Sequence, residues 1–253
     1  MRNVIITGAA QGIGYFLVKQ LLTDKYNVTV LDLDVGNLGA LSKEWPSLLT
    51  LVCDVRDSNR IKECVEESVL KFGSVDCAIH NACRCTFESM NNTDDATYRD
   101  VFDVNYFGAL YLSQAVLPHM KQQKAGKVIF TSSGVGVMGF INISPYASSK
   151  GAIESLAKCL NIEYQNDGIS FHIFHPPLTR TKSAEPLPIP KEFMVPPEKV
   201  GVGLAKHINK KSFVICHSAG QKLQTLACYM FPIKMGRLMS KATANYGKRS
   251  GLK

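Results

Sequence analysis

Residues 3–14 read Asn-Val-Ile-Ile-Thr-Gly-Ala-Ala-Gln-Gly-Ile-Gly, and this order leaves few folds open. Asn3–Ile6 is a short apolar run ending at Thr7-Gly8, as expected of a buried parallel strand. After Gly14, apolar residues Tyr15, Phe16, Val18, Leu21 and Leu22 recur at helical spacing. Strand, glycine turn and helix in that order aim backbone N–H groups and a helix N-terminus at a phosphate. The last glycine lets the helix lie close to the strand. A glycine cluster alone is as readily a plain turn. The flanking strand and helix are what give Gly8, Gln11, Gly12, Ile13 and Gly14 the reading of a pyrophosphate site.

A second strand, Val28–Leu31, ends in Asp32, 24 residues after Gly8. An acid about 20 residues beyond such a motif can accept hydrogen bonds from an adenosine ribose. Its charge would repel a 2′-phosphate, and Gln11 supplies no compensating cation, so NAD is expected rather than NADP. Asp34 shows that acids occur here anyway, so a plain strand-end carboxylate is the alternative.

The second informative stretch is Ser133 to Lys150. Lys127–Thr131 reads as a strand running into Ser132-Ser133, and 147–160 reads as a helix with Ile153, Leu156, Ala157 and Leu160 on one face. Tyr146 and Lys150, four residues apart, are neighbours on that helix. A free phenol, with a pKa of roughly 10, exchanges protons poorly at neutral pH, and a nearby ammonium is expected to lower that value. Ser133 can polarise a substrate oxygen while Tyr146 exchanges its proton. Tyr15 and Lys19 share the spacing but have no strand-end serine upstream. Together the two motifs point to hydride transfer.

On these residues the chain resembles the short-chain dehydrogenase/reductase family, in its short single-domain branch, over nearly all of residues 3–217. Thr7–Gly14 is similar to the family's Thr-Gly-x-x-x-Gly-Ile-Gly. The resemblance implies that Asp54 and Val55 meet the adenine, and that Asn81 and Ala82, in His80-Asn81-Ala82-Cys83, line the cofactor. It implies that Asn105 links the lysine to a water relay and that Ser133, Tyr146 and Lys150 are catalytic, with Lys150 also on the nicotinamide ribose. In the family's Pro-Gly-x-x-x-Thr segment, here Pro176 to Thr181, it implies that Pro176 binds the cofactor and that the Leu178 N–H and the Thr181 hydroxyl are available to the carboxamide. Two positions depart from the pattern: Cys83 replaces a glycine, and so does Pro177, which has no N–H to give.

With 253 residues, 45 % hydrophobic and 20 % charged, the chain suits one well-buried α/β domain. Strands alternate with helical patterns from Val4 to Cys216, which implies a doubly wound parallel sheet, Rossmann-like, in three layers. No room is seen for a signal peptide before the first strand. The eight cysteines show no Cys-x-x-Cys pair and read as reduced, mostly core thiols of a cytoplasmic protein. No metal site is expected, and His172 and His175 read as structural.

Seven of the eleven prolines fall between Pro176 and Pro197, interleaved with apolar residues. A long irregular segment in a compact domain is often functional. Residues 176–197 are expected to form a lid over an apolar alcohol or ketone, or else simply to pack on the core. The domain proper is taken as 1–218 and the remainder, 219–253, as a basic helical tail. That tail holds seven cations and no acid, against 22 basic and 21 acidic residues before it. Two readings stay open: a helix packing on the lid or a subunit, or a basic amphipathic segment in peripheral contact with a membrane. No recognition motif suggests nucleic acid. A homodimer or homotetramer is expected. The function read from the sequence is NAD-linked oxidation or reduction of an apolar alcohol or ketone. The alternatives are an NADP-linked carbonyl reductase, or a nucleotide-binding regulatory protein without turnover.

Overall fold

In a computed structural model, which describes residues 1–187 and 189–249 (the side chains of 247–249 aside), seven parallel strands form one sheet. Lys253 of the basic tail and Pro188 of the lid lie outside the described residues. The strands are β1 (Asn3–Thr7), β2 (Asn27–Asp32), β3 (Leu48–Val52), β4 (Cys77–His80), β5 (Gly126–Thr131), β6 (Ile169–His175) and β7 (Val214–Cys216). Their spatial order is β3-β2-β1-β4-β5-β6-β7, so the expected doubly wound sheet is met. The sequence order reverses between β1 and β4, and a crevice opens there beyond the carboxyl ends of the strands.

Two apolar layers hold helices on the two faces. Within β1, Val4 and Ile6 point to one side, with Leu17 and Leu21 of α1 (Gly12–Thr23), Leu41 of α2 (Gly39–Glu44) and Leu204 of α8 (Pro197–His207). Ile5 points to the other, with Ile61 of α3 (Ser58–Phe72), Leu112 of α5 (Gly108–Gln123) and Ile153 of α7 (Ser144–Glu163). This is the period-2 alternation of a strand buried on both sides. The helix expected over 147–160 is longer than its apolar stripe suggests. Pro145 starts it one turn earlier, because a proline in the first turn lacks only an N–H that had no partner there.

α4 (Asp95–Phe102) runs through one π turn, Asp103–Phe107, into α5. The turn sets Asn105, fully buried, toward α7. Beyond β5 a short α6 (Gly134–Met138) precedes α7. After β7 come α9 (Ala219–Met230) and α10 (Pro232–Arg249), parted at Phe231 by Pro232. Among the described residues no helix is long and apolar enough to cross a membrane.

Candidate active site

A cleft of about 790 Å3 lies over the crevice, with the glycine turn at one end and Tyr146 at the other. Gly8 and Gly12 adopt φ of +64° and +60°, a region that side chains rarely enter. A Cβ added at Gly8 would lie 2.4 Å from Ala82 Cα, and one at Gly14 would lie 2.6 Å from Ala9 Cα. The turn can therefore be made only of glycine at these points, and Gly8, Gln11, Gly12 and Ile13 line the cleft. Asp32, at the tip of β2, accepts from the Ala10 N–H at 2.8 Å and lines the same end. Such a cradle, open above and walled by backbone below, fits a dinucleotide pyrophosphate with its ribose at Asp32.

The loop after β4 is pinned to that turn. The Asn81 Nδ2 donates to the Gly8 carbonyl at 2.6 Å, and the Thr7 hydroxyl accepts from the Asn81 and Ala82 N–H groups at 3.1 and 3.2 Å. With both lone pairs used, the Thr7 hydroxyl donates to Nδ1 of buried His80, 3.0 Å away. His80 is therefore neutral with its proton on Nε2. Burial, with the Lys150 charge adding to it, pushes its pKa down to about 3.

At the other end, Ser133 caps α6 and Tyr146 stands in the first turn of α7. Glycine again permits the approach: a Cβ at Gly136 would lie 2.8 Å from the backbone of Lys150, and one at Gly151 would lie 3.0 Å from the Gly136 carbonyl. This contact of α6 with α7 brings the Ser133 hydroxyl near enough to the Tyr146 phenol to favour its ionised form. Lys150 is almost wholly buried. Its Nζ lies 5.6 Å from the centre of the Tyr146 ring and donates to the Thr131 carbonyl at 2.8 Å.

The model of the short chain dehydrogenase family matches residues 2–191, three quarters of the chain. This chain belongs to that family. It is 29 % identical to the L-fucose dehydrogenase of Bos taurus over 68 % of its own length and 64 % of that protein's, so it spans under two thirds of this relative. Retinol dehydrogenase 8 of Homo sapiens is 32 % identical over 76 % of this chain and 60 % of its own. The 3-ketodihydrosphingosine reductase of Mus musculus is 25 % identical over 91 % of this chain and 76 % of its own. In fold, a short-chain dehydrogenase from Streptomyces avermitilis superposes with a TM-score of 0.80 at 22 % identity, covering 98 % of both chains. The family uses nicotinamide cofactors.

Set against this short-chain dehydrogenase pattern, the geometry reverses one expectation and gives three further positions partners within the chain. First, the Tyr146 phenol is pushed well above its ordinary value rather than lowered: burial dominates, the Cys83 and Cys85 thiols add to it, and only the Ser133 hydrogen bond opposes. Lys150 does not bring the phenol down, and burial disfavours its own ammonium as well. Second, the Asp54 carboxylate is engaged by Arg56, which also reaches Asp100 at 3.2 Å, and the hydrogen bond from Arg56 holds Asp54 below the usual carboxylate range despite its partial burial. Asp54 lines the cleft with Val55, but as half of an ion pair. Third, the Asn105 carboxamide is spent on the Arg84 backbone, at 2.7 and 3.0 Å, and on Ser149 at 2.9 Å. It fastens the post-β4 loop to α7. Fourth, Pro177 leaves Leu178 to face the cleft, while the Leu178 carbonyl accepts from the Val195 N–H at 2.9 Å. Thr181 then sits so that a Cβ on Gly12 would come 3.3 Å from its methyl, which places 176–181 beside the pyrophosphate turn. Pro176 lines the cleft too.

Sequence reasoning missed a buried network behind the tyrosine. Glu154, one helical turn beyond Lys150, is 4 % exposed. Its carboxylate accepts from Ser132 Oγ at 2.7 Å, His175 Nε2 at 2.8 Å and the Tyr229 hydroxyl at 2.6 Å. Burial alone would raise its pKa, but the hydrogen bonds, that of His175 foremost, hold it below the usual range. The signal was present: Glu154 is an acid set between Ile153 and Ala157 on the stripe read as apolar. The tail, too, belongs to the site. α9 and α10 pack on α6, with Gly236 so close that a Cβ would lie 2.5 Å from the Met138 carbonyl, and Ser240 Oγ accepts from the Ile141 N–H at 3.2 Å. Gln221, Thr225, Cys228 and Met239 of these helices line the cleft.

Proposed function

We propose that this chain is an NAD-dependent oxidoreductase that interconverts an apolar alcohol and its ketone or aldehyde by Ser–Tyr–Lys acid–base chemistry. The observation that carries the reading is the convergence of Ser133, Tyr146 and Lys150 at one end of a cleft whose other end holds the glycine turn and Asp32. The bound nicotinamide's contribution is the hydride. In the reducing direction the Ser133 hydroxyl orients the carbonyl, and Tyr146, kept neutral by burial, gives its proton to the oxygen as the hydride reaches the carbon. In the oxidising direction the alcohol proton goes back to a Tyr146 phenolate. Lys150, anchored on Thr131 beside the ring, would offer its ammonium to a ribose hydroxyl of the bound nucleotide.

NAD is favoured over NADP on charge. Asp32 accepts from the Ala10 N–H with one carboxylate oxygen and, at 3.5 Å, from the Asp34 N–H with the other, and it lines the cleft, so a 2′-phosphate there would meet an anion. Arg56, the cation near that end of the cleft, is already committed to Asp54 and Asp100. The substrate side is lined by Val135, Met138, Phe140, Ile143, Leu187 and Met194, which suits the apolar substrates named for retinol dehydrogenase 8 and 3-ketodihydrosphingosine reductase better than a sugar. The test is a turnover screen of the purified protein against long-chain and cyclic alcohols, ketones and aldehydes, and against L-fucose, with both nucleotides. Turnover of apolar substrates with NAD is expected. Turnover of the sugar alone, or with NADP alone, overturns the assignment.

A further inference from the structure

The two helices after β7 have unlike faces. One face of each lines the cleft or packs on α6. The opposite faces, with Phe231 between the two helices, carry Leu223, Leu226, Met230, Ile233 and Leu238, and all six are between 50 % and 69 % exposed. Leu223, Leu226 and Met230 are three, four and seven residues apart, hence on one stripe of α9. Ile233 and Leu238 alternate along α10 with exposed Lys234, Arg237 and Lys241, and Lys222 flanks the α9 stripe. No acid occurs after Ala219. An apolar surface of this kind on a folded chain marks a contact, and its cations state the charge of the partner.

We infer that the outer face of α9 and α10 docks on an anionic lipid surface. A second copy of the chain is disfavoured as occupant, because a two-fold contact would set this cationic patch against itself. Nucleic acid would neutralise the cations but leave the six apolar side chains unused. A bilayer interface satisfies both, with lysine and arginine at the headgroups and leucine, methionine and phenylalanine in the acyl boundary. The position of the patch adds a consequence, which rests on the function proposed above. Gln224, exposed on α9, and Thr243, on α10, also line the cleft, so the docked face borders its mouth. An amphiphilic alcohol or ketone dissolved in the bilayer can then enter without crossing water.

Co-sedimentation with phosphatidylcholine vesicles, with and without phosphatidylglycerol, tests this on the full chain. Binding to the anionic vesicles is expected, falling as salt rises from 0.1 to 1 M and the Debye length shrinks from about 10 to about 3 Å. The triple variant Lys234→Gln, Arg237→Gln, Lys241→Gln should lose roughly a hundredfold in partitioning, at about tenfold per 1.4 kcal/mol. It should keep the wild-type melting temperature and its turnover of a water-soluble ketone, since none of the three lines the cleft. Equal pelleting with both vesicle types, or no loss in the triple variant, overturns the docking. So does a dimer in light scattering that the double variant Leu223→Ser, Leu226→Ser abolishes. Vesicle binding without faster turnover of a bilayer-dissolved alcohol refutes the delivery route alone. Vesicle binding without turnover of any alcohol or ketone refutes the enzymatic reading and leaves the docking in place.

Discussion

The Tyr229 hydroxyl donates to the Glu154 carboxylate at 2.6 Å, and through that bond the C-terminal helix pair is tied to the helix that carries Tyr146 and Lys150. Ser132, next to Ser133, and His175, next to Pro176, meet the same carboxylate. Four chain segments that end in the site thus share one buried anion. Removing one hydrogen bond to a charged, buried group costs about 1.5–3 kcal/mol. Tyr229→Phe is therefore expected to lower the melting temperature by several degrees, and a denaturation series shows it.

The same carboxylate gives stability a pH dependence. The folded pKa of Glu154 lies below its ordinary value, so its contribution is present above that value, roughly 4.3, and is lost as pH falls through the depressed one. Between pH 7 and pH 3 the stability gap between wild type and Glu154→Gln should narrow. A gap that stays constant across the range contradicts the charged assignment.

Tyr146→Phe should abolish turnover, by a factor of roughly 10²–10⁴, while nucleotide affinity changes little. Cofactor titration by fluorescence alongside steady-state kinetics separates the two. Retention of more than a small fraction of kcat assigns the proton to another group.

Because burial raises the Tyr146 phenol, the two directions should respond differently to pH. Reduction uses the neutral phenol and should stay flat from pH 6 to 9. Oxidation uses the phenolate and should rise by up to about tenfold per pH unit over that span, without a plateau near neutrality. A plateau in oxidation at pH 7 would mean that the bound cofactor has drawn the phenol down.

Asp32→Ala should shrink the preference for NAD+ over NADP+ by removing the anion that a 2′-phosphate meets. The expected change is about fivefold in the ratio of kcat/KM values, from loss of a repulsion worth on the order of 1 kcal/mol at a partly exposed site. Equal use of both nucleotides by the unmutated protein ends the argument.

Cys83, where the family pattern has glycine, is exposed and lines the cleft; Cys159 is exposed elsewhere. Iodoacetamide should inactivate the wild type, NAD+ should protect it, and Cys83→Gly should resist. Inactivation that persists in Cys83→Gly moves the sensitive thiol elsewhere.

What the sequence determined by itself is whatever local physics encodes. Apolar runs ending in Thr7-Gly8 and Asp32 are strands because burial on both faces demands them, and three glycines in seven residues make the turn that no other residue can adopt. The i, i+4 spacing puts Tyr146 over Lys150 in any helix, so that pairing was legible before the fold. Tertiary structure decided what depends on partners distant in the chain. Glu154 reads as one odd acid on an apolar stripe until His175 and Tyr229 arrive from 21 and 75 residues away to satisfy it. Asp54 is a free carboxylate in the sequence and an ion pair in the fold. The sign of the Tyr146 shift followed the same rule: spacing gave the ammonium beside it, but desolvation depends on everything packed around the ring, and only the assembled protein sets that.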